Sequence, residues 1–368
     1  MTARPEDYFS ATVSEADDKL ARAATRAGAK VEFVPHPLKG PEGETPNVGI
    51  VEVGNPSASN ALLLISGTHG VEGFAGAAIQ TSVLDNLATF KLSADTKIVI
   101  VHLINPWGAA WSRREDHENI DLFRNFLYWD RPSEPDPLFD AWDEAADLAH
   151  LGERTPAENA ARIRPLVKQY GEPRIIAAVR RGQHHKPKSL TYHGQGQCWS
   201  TRVLHQALRT HLKGCKRLCV IDLHTGFGDY GAGMVISYDL DGDPRLERVR
   251  KWFDGAIYMP GADADTPAHP ESPYAFIARL VPGLSVTASI LEYGTYPPSE
   301  TRDLFTTGLY YQLYGDPLST EGVAIRKRVR RFCYPEEDGW KRSVCTRGHE
   351  VVDRTLRGLD AWAQSGEH

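Results

Sequence analysis

The chain has 368 residues, of which 41% are hydrophobic and 24% charged, and its 42 Lys and Arg against 48 Asp and Glu leave a net charge of −6. This apolar content suffices for a large core, as one big α/β domain or two smaller ones, and speaks against a disordered chain. The mild acidity argues against a nucleic-acid partner, which would be met by a concentrated basic face. No run of about 18 apolar residues occurs, so no membrane-spanning helix is expected, and the first 29 residues lack the apolar stretch of a signal peptide. Five scattered cysteines (Cys198, Cys215, Cys219, Cys333 and Cys345) form no disulfide framework, which fits a reducing, cytoplasmic setting.

In chain order, a helix is predicted from about Ser14 to Ala27, with Ser14 and Asp17 as a weak capping pair. Strands follow at VEFVPHPL from Val31 and GIVEVG from Gly49, separated by the turn GPEGETPN. The runs ALLLIS (Ala61 to Ser66) and KIVIVHLI (Lys97 to Ile104) read as buried parallel strands, with a helix of small residues between them from Gly73 to Leu87. Residues 105–137 read as a long polar and aromatic connection. Helices are expected over 138–150, 156–169 and 171–181, then a Gly- and His-rich loop to 198, then a helix from Ser200 to Leu212. Leu218 to Leu223 and Val286 to Gly294 are the third and fourth apolar strands. MVISYDL at Met234 is strand-like, and helices are expected at 244–253, 301–315 and 320–333. The C-terminal tail carries no clear pattern. Strong strands interleaved with helices predict an α/β fold: a three-layer α/β/α sandwich with a mixed, mostly parallel sheet. One domain over 1–368 is expected, with 138–200 as an insertion of helix and loop shaping the pocket.

Polar residues stand just beyond three of the apolar strands. SGTHGVEG follows the first with His69 and Glu72, DLHTG ends the third with His224, and LEYGT ends the fourth with Glu292. In an open α/β sheet, ligands gather at the carboxyl ends of the strands. Two imidazoles and a carboxylate converging there supply the three N/O ligands of a catalytic zinc site with one position left open. Glu292 would then take the proton of a water acidified by one Zn²⁺ ion. Asp222 could orient a ligating histidine, or bond only to backbone amides.

The ordered blocks HGVEG, NPWG, RREDHENIDLFRNF, DLHTG and LEYGT resemble the M14-like zinc carboxypeptidase superfamily, and within it the DUF2817 branch of bacterial proteins. The resemblance spans about residues 60 to 300. It implies that His69, Glu72 and His224 are the metal ligands and Glu292 the general base and later proton donor. It implies that Arg114, or Arg113 given a one-residue ambiguity of register, polarises the substrate carbonyl, and that Arg124 binds a substrate carboxylate. Ion pairs with Glu115, Asp116, Glu118 and Asp121 are the plain alternative for these arginines. The superfamily pattern Asp-Leu-Asn-Arg-Asn-Phe is broken here, because Phe123 stands where the first Asn is expected. That loss of an amide donor weakens the case for plain carboxypeptidase activity.

Tyr293 and Tyr296 are candidate substrate contacts, with Tyr296 preferred. The loop at 182–200, with His184, His185, Tyr192, His193 and Trp199, either lines a pocket or is an ordinary surface loop. The expected activity is zinc-dependent hydrolysis of an amide in a small carboxylate-bearing N-acyl compound or short peptide. The alternatives are removal of C-terminal residues from peptides, or a catalytically silent metal-binding protein. Oligomeric state is not readable from the sequence.

Overall fold

A computed structural model describes residues 3–259, 272–297 and 302–366. Among the described residues one eight-stranded sheet organises the fold. Its strands are β1 (Val31–Pro35), β2 (Asn47–Gly54), β3 (Asn60–Ser66), β4 (Thr96–His102), β5 (Arg217–Tyr230), β6 (Gly233–Ile236), β7 (Ile257–Tyr258) and β8 (Ser285–Gly294). The spatial order is β1-β2-β4-β3-β5-β8-β6-β7. The central four, β4-β3-β5-β8, run parallel, while β2 joins β4 and β6 joins β8 antiparallel. These central strands are the four that read as continuous apolar runs, as expected where both faces of a sheet are covered.

Alternation along each strand feeds two separate cores. Leu62 and Leu64 of β3 and Ile98 and Ile100 of β4 pack under the helices Val13–Arg26, Gly73–Asp85 and Asp338–Ser365. Ala61, Leu63, Ile65, Val99 and Val101 face the opposite side, under the helices Leu122–Tyr128, Trp199–His211 and Phe276–Leu280. Two helical layers around one mixed sheet make the three-layer α/β/α sandwich. Among the described residues no helix is long and apolar enough to cross a membrane.

Several local expectations need correction. The first helix is capped by Thr12, whose hydroxyl accepts from the Glu15 amide, while Glu15 reaches back to the Ala11 amide; Ser14 lies inside the helix. The connection 105–137 holds two short helices, Pro106–Ala110 and Leu122–Tyr128, capped by the side chains of Asn105 and Asp121. Both are too short to show a periodic face. The tail forms a 28-residue helix, Asp338–Ser365. Gly339, Gly348 and Gly358 within it dilute its helical signal, and packing on the core overrides that local penalty. The predicted helix start at Thr301 lies outside the described residues, and the helix runs over Arg302–Leu313.

Residues 137–181 form three α-helices, Pro137–Ala146, Pro156–Tyr170 and Glu172–Arg181, and a 3-10 helix, Leu148–Glu153, around a small core of Phe139, Trp142 and Ile175, closed by Leu309. The following residues, 182–198, stay irregular apart from a bridge between Gln183 and Tyr192.

Candidate metal centre

Three strand ends converge. The loop after β3 carries His69 and Glu72, and it is set by main-chain contacts: Gly70 N and Val71 N donate to Arg114 O and Arg113 O at 3.1 and 2.8 Å. Gly70 also lies flat against the helix Pro106–Ala110, where a Cβ would sit 2.4 Å from the Gly108 carbonyl carbon. On the neighbouring strands, His224 of β5 and Glu292 of β8 are register partners.

Each of His69, Glu72 and His224 places one ligand atom within 4.8 Å of the other two, and all three side chains are buried. The Glu72 carboxylate spans both rings, with Oε1 3.1 Å from His69 Nδ1 and Oε2 3.0 Å from His224 Nδ1. Burial alone would raise the Glu72 pKa, but the two histidines outweigh it and hold the carboxyl below its ordinary range.

The far side of each ring faces a carboxylate. His224 Nε2 lies 3.0 Å from Asp222 Oδ2, and His69 Nε2 lies 3.5 Å from Asp121 Oδ1. Asp222 is itself fixed by hydrogen bonds donated by the hydroxyls of Tyr274 (2.6 Å) and Thr68 (2.8 Å). Two imidazoles with Nδ1 turned toward a shared carboxylate and Nε2 backed by acids form a donor set that fits a borderline divalent ion such as zinc.

Glu292 accepts a hydrogen bond from Phe227 N at 3.1 Å. Its pKa is pushed up to about 8, first by burial and then by the charge of Glu72. A carboxyl shifted in this direction suits proton transfer near neutral pH.

Arg114 and Arg113 diverge. Arg114 reaches the triad: Nη2 is 2.7 Å from His69 Nε2, Nη1 bonds Asp121 Oδ2 at 3.2 Å, and Nε is 3.8 Å from Glu72 Oε1. Arg113 is bonded instead to Glu115 and Asn119, each at 2.9 Å. Arg124 donates from Nη1 to Asp121, and from Nε (2.8 Å) and Nη2 (2.6 Å) to the Arg180 carbonyl at the end of the last insertion helix.

Phe123 packs against both ligand rings, 6.1 Å from His69 and 5.9 Å from His224, and against Tyr238 at 5.7 Å. Tyr238 is pushed up to about 12, mainly by burial, in the field of Arg124 and Glu292.

Of the two tyrosines after Glu292, Tyr293 is in the core and donates to Val344 O at 2.9 Å. The Tyr296 hydroxyl donates to Glu337 at 3.0 Å, beside Tyr230. In the loop, His193 is fully buried, 2.9 Å from the Ser133 hydroxyl and stacked on Tyr128; burial takes its pKa down to about 4. His185 pairs with Asp140 at 2.7 Å. The loop holds the arginine segment in place: Asn125 donates to the His193 and Gly196 carbonyls at 2.7 Å, and Asp121 N donates to Tyr192 O at 2.7 Å.

Thr68, Tyr274 and Tyr238 were not singled out by sequence, and Asp121 only as an ion-pair partner for the arginines, a pairing that Arg114 and Arg124 both make. Asp121 did leave a signal, as an acid opening the helical run LFRNF in the capping position. The others come from distant segments with no motif.

The sheet order and this triad define a class, a three-layer α/β/α sandwich with a candidate three-ligand metal site at the ends of its parallel strands. The likeness to solved structures agrees. Bovine thrombin-activatable fibrinolysis inhibitor, solved with tick carboxypeptidase inhibitor, superposes with a TM-score of 0.50 at 13% identity, over 97% of this chain and 99% of that one. A metallo-carboxypeptidase from Burkholderia cenocepacia gives 0.44 at 13% identity, over 96% and 71% of the chains. An aspartoacylase family protein from Mesorhizobium loti gives 0.35 at 12% identity, over 77% and 67%. The fold likeness rests on the first of these. No curated protein matches by sequence. Residues 9–347 match the family model described as protein of unknown function DUF2817, and the chain belongs to that family.

Proposed function

We propose that the protein is a zinc-dependent amide hydrolase acting on a small carboxylate-bearing N-acyl compound or short peptide. The observation that carries this reading is the register pairing of His224 with Glu292, which sets a carboxyl with a raised pKa beside the two-His, one-Glu triad. His69, Glu72 and His224 would hold the ion, which when bound supplies Lewis acidity to water and to the scissile carbonyl.

The chain's own groups do the rest. Glu292 takes a proton from the water that adds to the carbonyl carbon. As the C–N bond breaks, it returns that proton to the amine nitrogen. Arg114 donates to the oxygen that gains negative charge in the transition state, and Asp121 and Glu72 keep its guanidinium charged and aimed. Arg124 has five N–H groups, of which Asp121 and the Arg180 carbonyl engage three; the other two suit a substrate carboxylate.

Phe123 supports a small amide over a peptide C-terminus. It presents a ring where the superfamily pattern has an amide donor. Tyr296, bonded to Glu337, would contribute only from the rim. Five buried, free thiols support a reducing compartment for the reaction.

The test is a hydrolysis screen of zinc-loaded protein on N-acyl amino acids and on short peptides with free C-termini. Release of amino acid from the first set is expected. Cleavage confined to the peptides would replace this reading by carboxypeptidase action. No turnover on either would leave a metal-binding protein.

A further inference from the structure

Helix Val13–Arg26 turns a stripe of Val13, Ala16, Leu20, Ala23 and Ala24 to the core, and one acid shares that stripe: Asp17, only 7% exposed. A carboxylate in such a place is costly unless it is paired and hydrogen-bonded. Its Oδ2 accepts from Asn47 Nδ2 at 2.9 Å. Its Oδ1 is sealed from solvent and has no hydrogen-bond partner among the described residues. That oxygen faces Nε2 of His102, the last residue of β4, at 3.9 Å, and the nitrogen is likewise sealed and without a partner. Buried polar atoms are almost always satisfied, so two orphans facing each other call for one explanation.

The hydrogen bonds around His102 decide which of the two atoms can carry a hydrogen. Gln80 Nε2 donates to the Leu64 and Val101 carbonyls at 3.0 and 3.1 Å, which fixes the orientation of its amide. Gln80 Oε1 therefore faces the Ser66 hydroxyl and His102 Nδ1, each at 2.9 Å. An amide oxygen only accepts, so the His102 proton sits on Nδ1, and Nε2 of the neutral ring is a bare lone pair. An ionised Asp17 would set a second acceptor against it inside the core. One proton on Asp17 Oδ1, aimed at Nε2, satisfies both atoms.

The surrounding charges agree. Asp18, on the same helix, adds a like charge, and among the described residues no lysine or arginine is within ion-pair distance of Asp17. Burial pushes the Asp17 carboxyl up to about 7, against the Asn47 hydrogen bond, and takes His102 down to about 3, so that both groups favour their neutral forms.

We propose that the folded chain holds a buried proton on Asp17, directed at His102 Nε2, which ties helix Val13–Arg26 to the end of β4 and is released as the medium turns alkaline. The seating of that helix is thereby pH-sensitive. The same network continues through Gln80 to Ser66, the last residue of β3, where the loop to the triad departs.

The experiment compares wild type with Asp17→Asn. The amide has the shape of the protonated acid: its oxygen can accept from Asn47 and its N–H can donate to His102 at every pH. Above about pH 4 the unfolded wild-type chain has released the proton that the folded chain keeps, so wild-type stability falls with rising pH until Asp17 ionises in the folded state as well. In urea unfolding from pH 5 to 9, the wild-type ratio of folded to unfolded chain, taken relative to the variant, should fall about tenfold per pH unit up to about pH 7 and then level off. A difference that does not change with pH overturns the proposal. A second measurement uses the wild-type protein, so it reports even if Asp17→Asn fails to fold. In nitrogen NMR of ring-labelled histidines at pH 6, with His102 identified by its loss in His102→Gln, the ring should be neutral with its proton on Nδ1, the less common tautomer in water. A charged ring, or a proton on Nε2, overturns the proposal.

Discussion

The triad and the arginine segment differ in how they are held. His224 and Glu292 sit on parallel strands inside the sheet ladder, and His69 and Glu72 ride on a loop fastened by backbone hydrogen bonds. Arg124, by contrast, is held through side chains and the insertion, by Asp121 and by the Arg180 carbonyl. The part of the site that would carry out chemistry is fixed through the main chain, by the sheet ladder or by backbone hydrogen bonds. The part that would select substrate sits on a short helix, Leu122–Tyr128, tied to the insertion, where sequence can change without disturbing the strands.

Substitutions can break or sharpen that contrast. The largest effect is expected at the ligands: His69→Ala or His224→Ala should lose the triad ion and reduce turnover to background, and full triad occupancy in both by elemental analysis would refute the ligand set. Next, Glu292→Gln should keep the ion but lower kcat by about 10²- to 10⁴-fold; unchanged turnover would remove its role as base.

The same residue predicts a pH effect. With its folded pKa raised to about 8, Glu292 holds a proton in the folded, ion-free protein at pH values where the unfolded chain has released it. Stability of the stripped protein should therefore fall as pH rises from about 4.5 to 8, by on the order of a few kcal/mol from this group. The measurement is the difference in urea unfolding between wild type and Glu292→Gln across that range. A difference that does not change with pH contradicts the shift.

Asp222→Asn keeps the shape beside His224 Nε2 but not the charge, and should weaken zinc binding by about 10- to 100-fold. The smallest effect is expected on the other side of the contrast. Gly182 has φ +90, and a Cβ there would lie 2.7 Å from Arg124 Cδ. Gly182→Ala should displace Arg124 and raise KM a few-fold, with zinc affinity unchanged. A loss of zinc instead would show that the two regions are not independent.

What could be read from the sequence follows the same division. The four central strands announce themselves because a strand covered on both faces must be apolar throughout. The triad and Glu292 follow, since their places are fixed by where those strands end. Arg114 could not be told from Arg113, because an irregular segment has no period to set which of two neighbours turns inward; the fold turns Arg113 to Glu115 and Asn119. Tyr274 and Asp222 are 52 residues apart, and only the folded chain brings the phenol to the acid. The helix Asp338–Ser365 was hidden for another reason: its three glycines lower local propensity, and tertiary packing of Trp340, Val351 and Leu359 offsets that.

One contact sets how an ion would meet this protein. Because Gly70 lies backbone to backbone against Gly108 and Ala109, the place from which the first two ligands project is inherited from the main chain. The cradle is thus cut to shape before any cation arrives. Uptake should need little rearrangement, and stripping the ion should leave the helices and sheet standing, as far-ultraviolet circular dichroism can show.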